Sequence, residues 1–146
     1  MRRVALAVSL AVVVTTLFAA EAQPPSLYKR LGGYDAIAAV TDDFIARLAS
    51  DKSLSRFFVG HSKDSLGRIR QLVVDQLCAA TGGPCVYIGR DMKSAHQGMG
   101  ITEADWNTSV GHLVATLEKF KVPEKEKNEL LGAVSSFKKD IVESSK

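Results

Sequence analysis

The sequence predicts an all-α protein, on three observations. Apolar residues recur at helical spacing through four long segments. Gly- and Pro-rich stretches separate those segments. No segment alternates apolar and polar residues as a half-buried strand would. At 146 residues the chain is read as a single domain after a short leader, with no internal repeats.

The first predicted helix runs from Gly33 to Ser50, with Ile37, Val40, Phe44, Ile45 and Leu48 at helical intervals. A turn-rich piece from Asp51 ends in the pair Phe57-Phe58. Gly60 to Asp64 breaks the pattern, and Ser62 or Asp64 is placed to cap a second helix. That helix covers Leu66 to Ala80, with Ile69, Leu72, Val73, Leu77 and Ala80 in one broad stripe; Gly82-Gly83-Pro84 stops it. Residues 84–91 read as loop. Thr102 and Asp105 open a long helix to Lys121 that turns Trp106, Val110, Leu113 and Leu117 inward. Pro123 starts the last helix, whose core stripe is Leu130, Leu131, Val134, Phe137 and Ile141.

Residues 1–22 differ from the rest. Arg2-Arg3 is followed by the nearly unbroken apolar run Val4 to Ala20 and then by Ala20-Glu21-Ala22, the layout of a cleaved secretory signal. An uncleaved anchor is the other reading, although a comfortable membrane span needs about 20 apolar residues. The expected mature domain is therefore 23–146, exported to the periplasm or cell exterior, with membrane contact only if the leader stays. The 46% apolar content supports a core. A net charge of +3 without a long basic tract gives no support to nucleic-acid binding.

Cys78 and Cys85 flank the Gly-Gly-Pro turn. An oxidising compartment would let them join, and two separate thiols are the equal alternative, since reach is not legible in a sequence. They form no zinc-finger spacing.

One tract carries more chemistry than any other: Gly89 to Thr102, with His96 ahead of two glycines. An imidazole at such a corner can offer one ring nitrogen to a metal and tie the other to a carbonyl. His61 lies in a polar break and reads as solvent-facing. His112 lies mid-helix beside the core stripe and reads as structural.

Taken in order, Ser26 to Gly33, Val40 to Phe44, Leu54 to Phe58, Gly82-Gly83-Pro84, Gly89 to Thr102, His112 to Leu117 and Val122-Pro123 resemble the truncated haemoglobins, most closely their group I. The resemblance spans residues 26–143. It implies a 2-on-2 helical sandwich enclosing haem b, with His96 as the axial ligand of the iron. It also implies a wall of Phe44, Ile45, Phe58, Ile69, Val73, Met92, Ile101, Trp106 and Val134. Arg68, Arg70, Arg90 and Lys93 are candidates for the propionates, or simply a solvated face.

The distal side departs from that pattern. Many group I members carry a tyrosine after the phenylalanine matching Phe44, as a donor to bound oxygen; here Ile45 has nothing to donate. Reading back without gaps from Gly82, Ile69 and Val73 face the iron, with Gln76 the one polar residue on that stripe. The segment between Phe58 and Gly82 is longer than is usual in the family, and a register shift would bring Gln71 inward instead.

Three functions are expected. The first is a haem protein of the oxygen-binding or transport type, holding a diatomic gas (O2, NO or CO). The second is a haem-dependent redox enzyme, either a nitric-oxide dioxygenase or a peroxidase-like catalyst, served by an electron-donating reductase. The third is a haem-free helical interaction module.

Overall fold

In the computed structural model, residues 23–143 are described, and the expected leader at 1–22 lies outside them. Seven helices and one 3-10 turn make up this part: α1 Leu27–Arg30, α2 Gly33–Ser50, the turn Ser55–Phe57, α3 Lys63–Ala80, α4 Met92–His96, α5 Glu103–Lys119, α6 Glu124–Ser135 and α7 Lys138–Ile141. There is no strand among the described residues.

The helices stack in two layers. Helix α3 packs on α2 and α6 on α5, and α2 crosses to α5 to join the pairs. Ile37, Val40, Val74, Leu77, Leu113, Leu117 and Leu130 form the core between them. Each fully buried aliphatic side chain there contributes about 1.5–3 kcal/mol. A small apolar cavity sits in this core, lined by Ile37, Val40, Leu77, Leu117, Val122 and Leu130 among others. None of the predicted site residues borders it.

Caps set most boundaries. Ser62 accepts the amide of Ser65 at 3.2 Å and starts α3 three residues earlier than the apolar stripe alone indicates. Thr102 and Asp105 form a reciprocal capping box at the start of α5. Helix α3 ends in a Schellman motif: Gly83 N–H donates to Cys78 O at 2.8 Å, Gly82 N–H donates to Ala79 O at 3.1 Å, and Gly82 has φ +78°. Helix α5 closes the same way two residues before the predicted Lys121, with Val122 N–H on Leu117 O, and here the left-handed residue is Lys121, φ 55°.

Two expectations are corrected. The final helix is not continuous: Ser136 and Phe137 interrupt it, so the stripe from Leu130 to Ile141 is split between α6 and α7. The core face of α3 is Val74, Leu77 and Cys78, whereas Ile69, Leu72 and Val73 are half-buried and Ala80 is exposed. The predicted stripe had merged two adjacent faces, because α3 is apolar over more than the strip that meets α2.

Cys78 and Cys85 are joined in a disulfide, with Cα atoms 5.7 Å apart. The bond ties the end of α3 to the 84–91 loop. Gly83 lies inside that ring: a Cβ there would come within 2.5 Å of the Tyr28 ring and 2.6 Å of Cys78 Sγ. Tyr28 is fixed in turn by its own amide, which donates to Thr81 O at 2.8 Å.

Candidate functional site

Helix α4 is only five residues long, too short to hold itself in place. Its start is fixed by Asp91, whose carboxylate accepts the Ser94 amide at 2.9 Å and the Ser94 hydroxyl at 2.7 Å. These bonds hold the Asp91 carboxyl below the ordinary carboxylate value. The preceding loop is braced from beneath. Tyr87 donates its hydroxyl to Arg90 O at 2.6 Å, and a Cβ at Gly89 would clash with that hydroxyl at 2.3 Å and with the ring at 2.4 Å. Burial raises the Tyr87 phenol above its usual value, so it stays a donor.

His96 ends α4 and is half-buried. Its Nδ1 lies 2.8 Å from the carbonyl oxygen of Met92. A carbonyl only accepts, so Nδ1 carries a proton, and in the neutral ring Nε2 is left with the lone pair. This is the arrangement that makes an imidazole a good metal ligand. No cluster of three or more His, Cys, Asp or Glu side chains suited to a metal exists among the described residues. A metal at His96 must therefore bring most of its own ligands, as a porphyrin does.

The other predicted residues are distributed around the layers. Phe44 and Ile45 lie on α2, Phe58 follows the 3-10 turn that packs on α2, Ile69 and Val73 lie on α3, and Met92 lies on α4; all six are half-buried. Phe44, Val73 and Val134 pack against the core. Ile101 and Trp106, at the start of α5, are buried at 8% exposure each. Helices α2 and α3, which pack on each other, thus carry half-buried aromatic and aliphatic side chains, while Met92 and the oriented imidazole lie on α4, which packs on α7.

The polar candidates sort themselves. Arg70 pairs with Asp42 on α2 through two exposed bonds of 2.6 and 2.9 Å. Arg68, Arg90 and Lys93 are exposed and enter no ion pair among the described residues. Gln71 is exposed and donates to the Tyr34 hydroxyl at 2.8 Å and to Asp75 at 3.0 Å. The register shift that would turn it inward does not occur. Gln76 is half-buried on the strip with Ile69 and Val73, within about 60° of both at 100° per residue. His61 is exposed and its Nδ1 lies 3.0 Å from the Ser65 hydroxyl. His112 Nε2 pairs with Asp51 at 3.0 Å, a link between α5 and the end of α2.

Two distant partners of this region were not foreseen, Arg56 and Glu143. Asp105, 5% exposed, accepts the Thr102 amide and hydroxyl and pairs with Arg56 at 2.7 Å. Burial raises the Asp105 carboxyl, but these donors outweigh it and the net shift is downward. At the other end of the corner after His96, Glu143 accepts the Gly98 amide and donates its own amide to Ile101 O at 2.9 Å. The Thr102/Asp105 box was legible; the partners at Arg56 and Glu143 lie 49 and 45 residues away and left no local signal.

Known proteins share this architecture. A family model described as bacterial-like globin matches residues 26–143. A group 1 truncated haemoglobin of Mycolicibacterium paratuberculosis is 37% identical over 121 residues, 83% of this chain and 87% of that protein. One from Tetrahymena pyriformis is 28% identical over 120 residues, 82% of this chain and 97% of that protein. The crystal structure of the Fe(III) form of the Tetrahymena protein superposes with a TM-score of 0.75 at 27% identity, covering 82% of this chain and all of that one. The 2/2 haemoglobin of Synechococcus, solved in the cyanomet state with covalently attached heme, gives 0.74 at 27% identity, covering 81% and 98%.

Proposed function

Because the chain belongs to the bacterial-like globin family and has the 2-on-2 globin fold, we propose that it is a haem b protein that binds a diatomic gas, with His96 as the axial ligand. The observation that carries the reading is the 2.8 Å bond from His96 Nδ1 to Met92 O, which leaves Nε2 as the donor atom. Bound haem supplies a coordination site for O2, NO or CO. The residues of this chain would do the rest. Phe44, Phe58, Ile69, Val73 and Met92 would enclose the ring, and Ile101 and Trp106 would back it. Arg68, Arg90 and Lys93 would meet the propionates at the rim.

Ile45, Ile69 and Val73 offer no hydrogen-bond donor to a bound gas, and Gln76 is a half-buried polar side chain on the same strip of α3. That apolar distal side supports reversible gas binding with fast oxygen release. The absorption spectrum of the purified protein tests the proposal. A Soret band that shifts when the reduced protein takes up CO is expected; a chain that takes up no haem overturns it.

We further propose that residues 1–22 direct export and are removed. The leader pattern in the sequence supports this, and so does the Cys78–Cys85 disulfide, a bond that persists in oxidising compartments. Intact mass and cell fractionation check it: a full-length product retained in the cytoplasm is the contrary result.

A further inference from the structure

The orientation of His96 depends on what holds a five-residue helix. The start of α4 is tied by Asp91 and by the Tyr87 brace. Its end runs into Gln97-Gly98-Met99-Gly100, where Gly98 and Gly100 both have positive φ, 84° and 65°. Neither glycine has a neighbouring atom within 4 Å of where a Cβ would stand, so packing against their α-carbons does not fix this corner. Hydrogen bonds do. Gln97 N–H returns to Lys93 O at 2.9 Å and Met99 N–H to His96 O at 3.1 Å. Those bonds are internal and hold only the local turn.

The hydrogen bonds that reach the corner from outside come from one residue among those described. Glu143, just past α7, reaches both ends of the corner. Its carboxylate accepts Gly98 N–H on the His96 side, and its amide donates to Ile101 O on the α5 side. Helix α7 itself packs against α4. Ile101 is buried, so its end of the clamp is anchored in packing, and the exposed Gly98 end is the one that the carboxylate holds.

We propose that Glu143 is a positioning residue for His96: by clamping the 98–101 corner it sets the tilt of the imidazole, and through it the strength of the proximal bond. This rests on the assignment of His96 as the axial ligand.

The test compares the full chain with Glu143→Ala and Glu143→Gln. Amide exchange at Gly98, followed in the apoprotein, reads the clamp without any haem. The iron–histidine stretching band of the reduced protein and the rate of haem transfer to an acceptor globin read its effect on His96. A charge-assisted hydrogen bond corresponds to about a 10-fold effect or more when shielded, and solvent screens this exposed one. Glu143→Ala should therefore speed Gly98 exchange by up to about tenfold, speed haem release and displace the stretching band. Glu143→Gln keeps an accepting oxygen and should recover much of each.

Gly83→Ala, which strains the far end of α3, serves as the control for general destabilisation. It should lower the unfolding midpoint and leave the band in place. The proposal is overturned if Glu143→Ala leaves Gly98 exchange and the band unchanged, or if Gly83→Ala moves the band equally. Failure of the haem assignment is a separate result: His96→Ala would then hold haem as the parent does, while Gly98 exchange would still report the clamp.

Discussion

His96 Nδ1 and the carbonyl oxygen of Met92 are 2.8 Å apart, one helical turn from each other on α4. The contact fixes the tautomer and the ring together, so the side chain is prepared before any ligand arrives. His96→Ala should lose most haem during purification. Imidazole added to the small cavity left by His96→Gly should restore much of the reduced spectrum. A variant with unchanged haem content and an unchanged ferrous spectrum counts against the assignment.

The distal prediction turns on Ile45. Bound oxygen carries partial negative charge and gains from a donor, whereas CO gains much less. A hydrogen bond with a charged partner is worth about 1.5–3 kcal/mol. Ile45→Tyr should slow oxygen release by about 10- to 100-fold and leave CO release nearly unchanged. Stopped-flow displacement measures both. If the parent protein already releases oxygen slowly, Gln76→Leu should reveal whether Gln76 is the donor.

The disulfide and its cap form one unit. Closing a loop of this length is worth about 2–3 kcal/mol, so reduction should lower the urea midpoint by a corresponding amount. Gly83→Ala drives a methyl group into Tyr28 and Cys78 and should cost about 1–3 kcal/mol. Equal stability of the alanine variant would mean that the turn can open without loss.

Lys121 occupies a left-handed position at the end of α5, with φ 55°. A non-glycine residue there costs about 1 kcal/mol. Lys121→Gly should therefore stabilise the protein by about 0.5–1 kcal/mol, read as a raised thermal midpoint. A lowered midpoint would show that the side chain makes a contact worth more than the strain.

Asp43 ties α2 to α5. Arg47, first, then Lys119 and the fully buried Thr116 hydroxyl, hold its carboxyl well below its usual value of 3.8. A carboxylate whose folded-state value is depressed stabilises the fold above its unfolded value and loses that contribution as pH falls further. The stability gap between the parent and Asp43→Asn should be full at neutral pH and close progressively below pH 3.8. Denaturant titrations across that range check it; a gap independent of pH would assign the effect to packing alone.

Local signals were the legible ones. The helices α2, α3 and α5 could be read because their periodicity, caps and glycine stops are written within a few residues of each other. The split between α6 and α7 was not legible, since the apolar stripe runs through Ser136 and Phe137 without a glycine or proline. The faces of α3 were confused because Ile69 and Val73 are as apolar as Val74 and Leu77, and only their neighbours distinguish them. Asp42 claimed Arg70, and Tyr34 with Asp75 claimed Gln71, through contacts that mostly lie about 30 residues apart in sequence. The disulfide required a distance, which the spacing of the two cysteines does not supply.

The ring closed by Cys78 and Cys85 also decides how the chain behaves when it is cut. A protease that nicks anywhere from Ala79 to Pro84 leaves the two pieces joined through sulfur, and α3 remains attached to the segment that carries His96. A nick between Val86 and Asp91 has no such bridge, and the pieces are held only by packing. The segment that exposes Val86 and Ile88 is thus the vulnerable side of this connection, and a single cleavage there should give two fragments on a non-reducing gel where cleavage at Gly82 gives one band.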